Sequence, residues 1–187
     1  MNNDAGVFYP SLYEAAVAMS STRSPREILG NLVERVAGTL GAKGCSLMLL
    51  STDKKHLLHI IAYGLSDRYL KKGPVSADKS ISEALEGKVV GVLKAAEDDR
   101  IQYREEAEQE GVASILSVPM MLRDEVIGVI RVYTSEPHEF TMDEMYFVSA
   151  VASLSAIAME NVRLYKNIQR DNRKLRQEII ECSAGDW

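Results

Sequence analysis

The sequence predicts an α+β fold. A central antiparallel sheet carries helices from both chain ends on one face and short helices and loops on the other, and a long helix closes the chain. Three observations predict this. Apolar runs come in two pairs, 45–51 with 56–63 and 113–121 with 125–134, joined by the polar turns Ser51-Thr52-Asp53-Lys54-Lys55 and Leu122-Arg123-Asp124, the pattern of antiparallel hairpins. Capping-box sequences, which open helices, stand at Ser24-Pro25-Arg26-Glu27, Ser80-Ile81-Ser82-Glu83 and Thr141-Met142-Asp143-Glu144. After the last of these no Gly or Pro interrupts the chain until Gly185.

In chain order, residues 1–10 are expected to be a flexible N-terminus. Residues 11–22 read as a short helix with Leu12, Ala15, Ala16 and Met19 on one stripe. Pro25 at the first helical position strengthens the second helix; Ile28, Leu29, Leu32, Val33, Val36 and Leu40 follow at helical spacing until Gly41 and Gly44. The first strand pair comes next. The short helix opened at Ser80 ends at Gly87, 89–93 is a short apolar strand, and Asp98 and Asp99 are placed to cap a helix over 100–110 that Gly111 terminates. In the strand 125–134, Val126, Gly128, Ile130 and Val132 share one wholly apolar face, where Gly128 would admit a closely packed helix; Ile127, Val129, Arg131 and Tyr133 share the other.

The 187 residues amount to about one domain. Twenty-two Lys and Arg against 27 Asp and Glu give a net charge of −5, with 46% hydrophobic and 26% charged residues. That balance excludes a disordered or fibrous chain and a disulfide-stapled miniprotein, and it argues against a nucleic-acid-binding surface. Cys45 and Cys182 form no disulfide framework. No secretory signal opens the chain and no apolar run reaches membrane-spanning length, so a cytoplasmic protein without membrane contact is expected.

Several stretches together resemble the GAF domain family. They are Ser114-Ile115-Leu116-Ser117-Val118-Pro119, a charged turn, Val126-Ile127-Gly128-Val129-Ile130, Phe140 with an acidic pair opening a helix, and Glu160-Asn161-Val162-Arg163-Leu164-Tyr165. Upstream, Ala62-Tyr63-Gly64-Leu65 and the segment from Gly91 to Arg100 also fit. The resemblance implies a PAS-like sensor fold over residues 11–165; beyond it a coiled-coil extension over 166–182, read from the spacing of the terminal helix, and a tail over 183–187 are expected. It also implies a non-enzymatic small-molecule-sensing and dimerisation module that relays to an effector such as a kinase, cyclase or transcription regulator, as part of a larger sensor or through partners; the alternatives are a purely structural dimerisation domain without a ligand and, behind it, an enzyme on the same fold. It places the ligand cavity on the second sheet face, beneath the middle helices.

The candidate pocket residues are His59, Tyr63, Tyr103, Ser114, Arg131 and Tyr133. His59 and Tyr63 are expected on one strand face, and Arg131 is a charge inside an apolar run, costly to bury unpaired. Tyr103 and Ser114 enter from the resemblance alone. His56 and His59, three apart on a strand, point to opposite faces, so no metal is assigned. No cofactor is assigned either. The Asn-Lys dipeptide that accompanies cyclic-nucleotide binding in the family is absent, bilin attachment lacks a suitably placed cysteine, and sulfoxide reduction would need clustered cysteines.

The terminal helix carries the strongest pattern. Phe147, Val151, Leu154, Ala158, Asn161, Tyr165, Ile168, Asn172, Leu175 and Ile179 follow in steps of four and three, a coiled-coil seam with Asn172 at an a position. To about residue 160 the helix can pack on its own sheet. Beyond Tyr165, Ile168, Leu175 and Ile179 need another surface, and a second copy of the helix supplies it. The expected homodimer interface is therefore Tyr165, Ile168, Asn172, Leu175 and Ile179.

Overall fold

A computed structural model describes residues 5–19, 24–77 and 82–184. The helices are α1 (Ala5–Met19), α2 (Pro25–Thr39), α3 (Asp67–Leu70), α4 (Ser82–Leu85), α5 (Arg104–Gln109) and α6 (Met142–Ala184). The strands are β1 (Gly44–Leu50), β2 (His56–Tyr63), β3 (Val75–Ser76), β4 (Val90–Val92), β5 (Ser114–Leu122) and β6 (Glu125–Thr134). They form one antiparallel sheet in the order β3-β2-β1-β6-β5-β4. The α+β architecture predicted from the hairpins and helix caps is the one observed.

Local chemistry sets the boundaries. At α2 the Ser24 Oγ accepts from Glu27 N–H at 3.3 Å while the Glu27 carboxylate accepts from Ser24 N–H at 2.8 Å. Thr141 and Glu144 repeat this reciprocal pair ahead of α6, at 3.3 and 2.7 Å. Arg123 and Asp124 take φ of +49° and +66°, the left-handed pair that a two-residue type I′ hairpin turn needs. Ser80 of the remaining capping box lies outside the described residues.

One side of the sheet holds the main core. Cys45, Leu47, Leu116, Val118, Met120, Ile130 and Val132 meet Leu29, Leu32, Val33 and Val36 of α2 and Phe147, Val148, Val151, Ala152 and Ala156 of α6. By length and composition alone α6 contains a stretch apolar enough to span a membrane. Its buried residues are the ones that pack on the sheet. α1 completes the layer through Phe8, whose ring stacks on Phe147 at 4.9 Å, and through the Ser11–Thr39 hydroxyl pair at 3.0 Å.

Five local expectations are corrected. α1 starts at Ala5, so residues 5–10 are helical rather than a flexible lead-in. Pro10 removes a single helical hydrogen bond near the N-terminus, and the Phe8–Phe147 stack holds that turn in place. The helix expected over 100–110 is only Arg104–Gln109. The Asp98 carboxylate is engaged by the Arg100 N–H at 2.9 Å and the Arg100 guanidinium at 2.7 Å, so it caps a turn, not a helix. In β2, Ile61 pairs with Leu47 but His59 pairs with Met48. The bulge at Ile60 between them puts His59 and Tyr63 on opposite faces. A second bulge sets Met120 opposite Gly128 but Met121 opposite Val126, and Ile127 consequently packs against the helical core. Gly128 admits no helix: a Cβ there would lie 2.2 Å from the Met48 carbonyl oxygen of β1.

Candidate functional site

Directly paired residues on neighbouring strands share a face. On the side away from the main core this stacks three rows across β1, β6 and β5. Tyr133 and Ile115 form one row, Ser46, Arg131 and Ser117 the next, and Met48 and Val129 the third, with His59 of β2 opposite Met48. The first row packs with Tyr69, Val92, Ala95, Ile101, Ala107 and Val112 beneath α3 and α5. The third packs with Leu57, Val75 and Ala84 beneath α4. The middle row is polar and lies between two apolar clusters.

Arg131 is 3% exposed. Its Nε donates to Ser117 Oγ at 3.0 Å, and it also bonds the Tyr133 hydroxyl, which pairs with Ser46 Oγ at 3.0 Å. A buried guanidinium persists only when hydrogen-bonded, and the two serines and the tyrosine belong to that set. Lys72, just past α3, reaches the same region. Its Nζ donates to the Tyr69 carbonyl at 3.0 Å, stands 3.4 Å from the Tyr69 ring centroid and 5.7 Å from that of Tyr103, and lies 3.5 Å from His59 Nε2. Tyr103 is fixed by its hydroxyl donating to the Pro74 carbonyl at 3.1 Å. The Tyr69 ring meets Tyr133 edge-on at 5.9 Å.

The electrostatics follow from burial and from one sign of charge. Burial, then Lys72 and Arg131, push the His59 imidazole down to about 4. Burial and Arg131 push Lys72 down to about 8, against the weaker pull of Glu106 on α5 and Glu110 just past it. Burial raises the hydroxyls of Tyr69 and Tyr133 above the ordinary tyrosine range, so both stay neutral donors at physiological pH. His59 Nδ1 is buried and meets no protein partner. The described side chains of the region offer many hydrogen-bond donors and little negative charge, which is a binding chemistry. Cys45 lies on the other face, fully buried, and desolvation drives its thiol far above the reactive range. Among the described residues no group of three or more His, Cys, Asp or Glu gathers as metal ligands would.

Of the sequence candidates, His59, Tyr103, Arg131 and Tyr133 come together. Tyr63 does not: it is 44% exposed and pairs with Cys45 on the opposite face. Ser114 does not either, since its hydroxyl ties the Leu93 carbonyl at 2.6 Å to the His138 N–H at 2.8 Å. The sequence reasoning missed Lys72 and Tyr69, which lie on and after a four-residue helix too short to show periodicity. It also missed Ser46 and Ser117, whose role emerges only from the register with Arg131. A groove of about 560 Å³ lies away from this cluster, on the helical side, between Leu49, Leu122 and Ile127 of the sheet and Met159 and Val162 of α6. Its charged lining is Arg123, Glu125, Glu160 and Arg163, and Glu160 and Arg163 bond each other at 2.7 and 2.9 Å, whereas the polar row holds a buried guanidinium and an orphaned imidazole nitrogen and is the better functional candidate.

In the distal part of α6, Tyr165 and Ile168 are 63% and 58% exposed, and the Asn172 side chain donates to the Ile168 carbonyl at 2.9 Å along its own helix. The side chains of Leu175 and Ile179 lie outside the described residues. Nearer the domain, Ile157 and Leu164 are 49% and 44% exposed, two apolar positions a heptad apart that the sequence-based seam omitted.

Comparison with known proteins agrees with this geometry. The family model described as GAF domain matches residues 24–161. The GAF domain of a phosphoenolpyruvate-protein phosphotransferase from Coxiella burnetii superposes with a TM-score of 0.78 at 17% identity, covering 89% of this chain and 99% of that one. The corresponding Acinetobacter domain gives 0.71 at 20% identity, with 88% and 97% covered. Free methionine-R-sulfoxide reductase from Neisseria meningitidis, solved in complex with its substrate, gives 0.71 at 16% identity, with 88% and 95% covered. A search of proteins with curated functions returns no match. At these identities the structures share the fold alone, while the family model spans most of the sequence: the chain belongs to the GAF domain family.

Proposed function

We propose that this protein is a non-enzymatic sensing and dimerisation module of signal transduction. GAF domains are typical signalling sensor modules. In this chain a small molecule would bind beside Arg131, Lys72, His59, Tyr69, Tyr103 and Tyr133, beneath α3–α5, and its occupancy would pass through the sheet to α2 and α6. The observation that carries this is the buried Arg131 row flanked by two apolar clusters, with a further cation and an orphaned imidazole nitrogen beside it. The unreactive state of Cys45 supports the non-enzymatic assignment.

The dimer would be parallel, with Ile157, Leu164 and Ile168 of α6 at its centre, Tyr165, Asn172, Leu175 and Ile179 continuing it, and the exposed Tyr9 and Tyr13 of α1 at its flank. Heptad spacing beyond the globular core and the exposure of Tyr9, Tyr13, Ile157, Leu164, Tyr165 and Ile168 support it. The setting is cytoplasmic, and the effector is a kinase, cyclase or transcription regulator. The test is thermal unfolding with a panel of nucleotides, aromatic acids and 2-oxoacids. A pocket ligand at about 100 times its Kd adds about 2.7 kcal/mol, and that gain should vanish in Arg131→Gln if the variant keeps its fold. A panel with no stabilising member would favour a purely structural dimerisation domain.

A further inference from the structure

The outward face of α6 repeats at a period other than the heptad. Of the heptad positions, Phe147, Val151 and Ala158 are buried in the domain core, so that seam starts where no partner can reach it. The apolar side chains turned outward are Ile157, Leu164 and Ile168. Ile157, Asn161 and Leu164 return eleven residues later as Ile168, Asn172 and Leu175, and Ile179 opens a third unit. The acid–base spacing of Glu160 and Arg163, bonded at 2.7 Å, returns as Asp171 and Lys174. A heptad counted from Ile157 instead meets Leu164, Asp171 and Glu178. Eleven residues in three turns average about 3.67 per turn, close to an undistorted helix at about 3.6. The sheet-facing side of α6 keeps the same period. Val148 is followed by Met159 and Val151 by Val162; the first three pack in the main core and Val162 lines the groove beside it. The two faces therefore hold a constant angle to each other along the helix, which a heptad seam would not.

We propose, on the α6 dimer put forward above, that its interface is this eleven-residue seam, occupied by a second copy of the chain lying parallel and in register, with Asn161 facing the partner's Asn161 and Asn172 facing the partner's Asn172. The repeat itself selects this occupant. An amide both donates and accepts, so each Asn layer is satisfied by its own copy, and a polar layer in an apolar seam fixes the register. An antiparallel copy that paired Asn161 with the partner's Asn172 would set Leu164 beside Gln169 and Ile157 beside Arg176. Asn172 spends one N–H on the Ile168 carbonyl of its own helix at 2.9 Å, which leaves its Oδ1 and a second N–H for the partner. An eleven-residue seam pairs helices with a right-handed supercoil, the opposite hand to a heptad. The seam also begins inside the domain. Ile157 stands between Ala156 and Ala158, both packed against the sheet, so the partner contact and the sheet contact share the same turn of α6. A shift of α6 on its sheet then reaches the partner helix with no linker between.

The test is disulfide cross-linking of the intact chain in a Cys182→Ser background, where the remaining Cys45 is fully buried. Asn161→Cys, Leu164→Cys, Tyr165→Cys, Ile168→Cys and Asn172→Cys are made one at a time, each shown by thermal unfolding to be folded, and oxidised with a mild copper oxidant. A disulfide needs Cα atoms within about 7 Å, so coupling reports which positions face their own copy. Leu164 and Tyr165 separate the two periods, because Leu164 lies on the eleven-residue seam and Tyr165 on the heptad one. The expected result is fast coupling at Asn161, Leu164, Ile168 and Asn172 and slow coupling at Tyr165. Tyr165→Cys coupling faster than Leu164→Cys would overturn the eleven-residue seam and leave a heptad dimer standing. Coupling at none of the five would overturn the parallel, in-register pairing. Sedimentation of the unaltered chain then divides that failure: a dimer keeps the association and loses the register, and a monomer at tens of micromolar removes the α6 dimer as well.

Discussion

Replacing Lys72 by Met should stabilise the unliganded protein at neutral pH, because the wild-type domain holds a charge in an unfavourable place. The ammonium ionises near 8 in the folded chain, against about 10.4 in an unfolded one. At about 1.36 kcal/mol per pH unit the difference sets a ceiling of about 3 kcal/mol. Lys72 is half in solvent, and screening reduces this to about 1–2 kcal/mol. The contact of Nζ with the Tyr69 ring at 3.4 Å offsets about 1 kcal/mol, while Met keeps the packing of the stem. The net gain at neutral pH is therefore at most about 1 kcal/mol. The sign of the pH dependence is fixed independently. Between the folded and unfolded values the unfolded chain binds more protons, so wild-type stability rises with pH from about 8 to about 10.4, relative to a variant that cannot titrate there. Urea denaturation of both proteins at equal concentration, in steps from neutral pH to about pH 10, reads this directly. The variant should lead at neutral pH and lose its lead as pH rises. Stability curves that run parallel across the range would refute the claim that Lys72 is held as a destabilised cation.

Other substitutions probe other parts of the account. Gly128→Ala would drive a Cβ to 2.2 Å from the Met48 carbonyl oxygen and should destabilise by about 3 kcal/mol or more, seen as a lowered urea midpoint. Ser24→Ala removes the acceptor for the Glu27 N–H and should cost about 1 kcal/mol by the same measurement. Leu116→Ala, at 0% exposure in the main core, should cost about 2–5 kcal/mol. Ile157→Glu with Leu164→Glu should shift the dimer to monomer in sedimentation without changing the circular dichroism of the sheet, and truncation after Asn161 should weaken association in the same way.

The parts of this fold legible in the sequence are those set by local chemistry. The Ser24 and Thr141 capping boxes, the two hairpins and the uninterrupted terminal helix all depend on residues close in the chain, and all appear where their patterns place them. Arg131 stood out because a charge within an apolar strand must find partners across the sheet. The misses share a different cause. The bulges at Ile60 and Ile127 shift register without a sequence marker. They separate Tyr63 from His59, and they turn Ile127 to the helical side. Lys72 belongs to no periodic segment, so only the return of the chain beneath Tyr69 and Tyr103 brings its ammonium to His59. Ser114 looked like a pocket residue by resemblance, but its hydroxyl serves to join two loops. On α6, Ile157 and Leu164 were hidden because the neighbouring seam positions Val151 and Ala158 are consumed by the domain's own core.

The central claim, a dimeric sensor whose ligand lies beside Lys72 and Arg131, is tested most directly by native mass spectrometry of the intact chain and of Lys72→Met. The account predicts wild-type particles of twice 20.7 kDa that retain a member of the panel of nucleotides, aromatic acids and 2-oxoacids, and a Lys72→Met dimer that retains less of it. Particles of 20.7 kDa at tens of micromolar, or equal retention by both proteins, would contradict it.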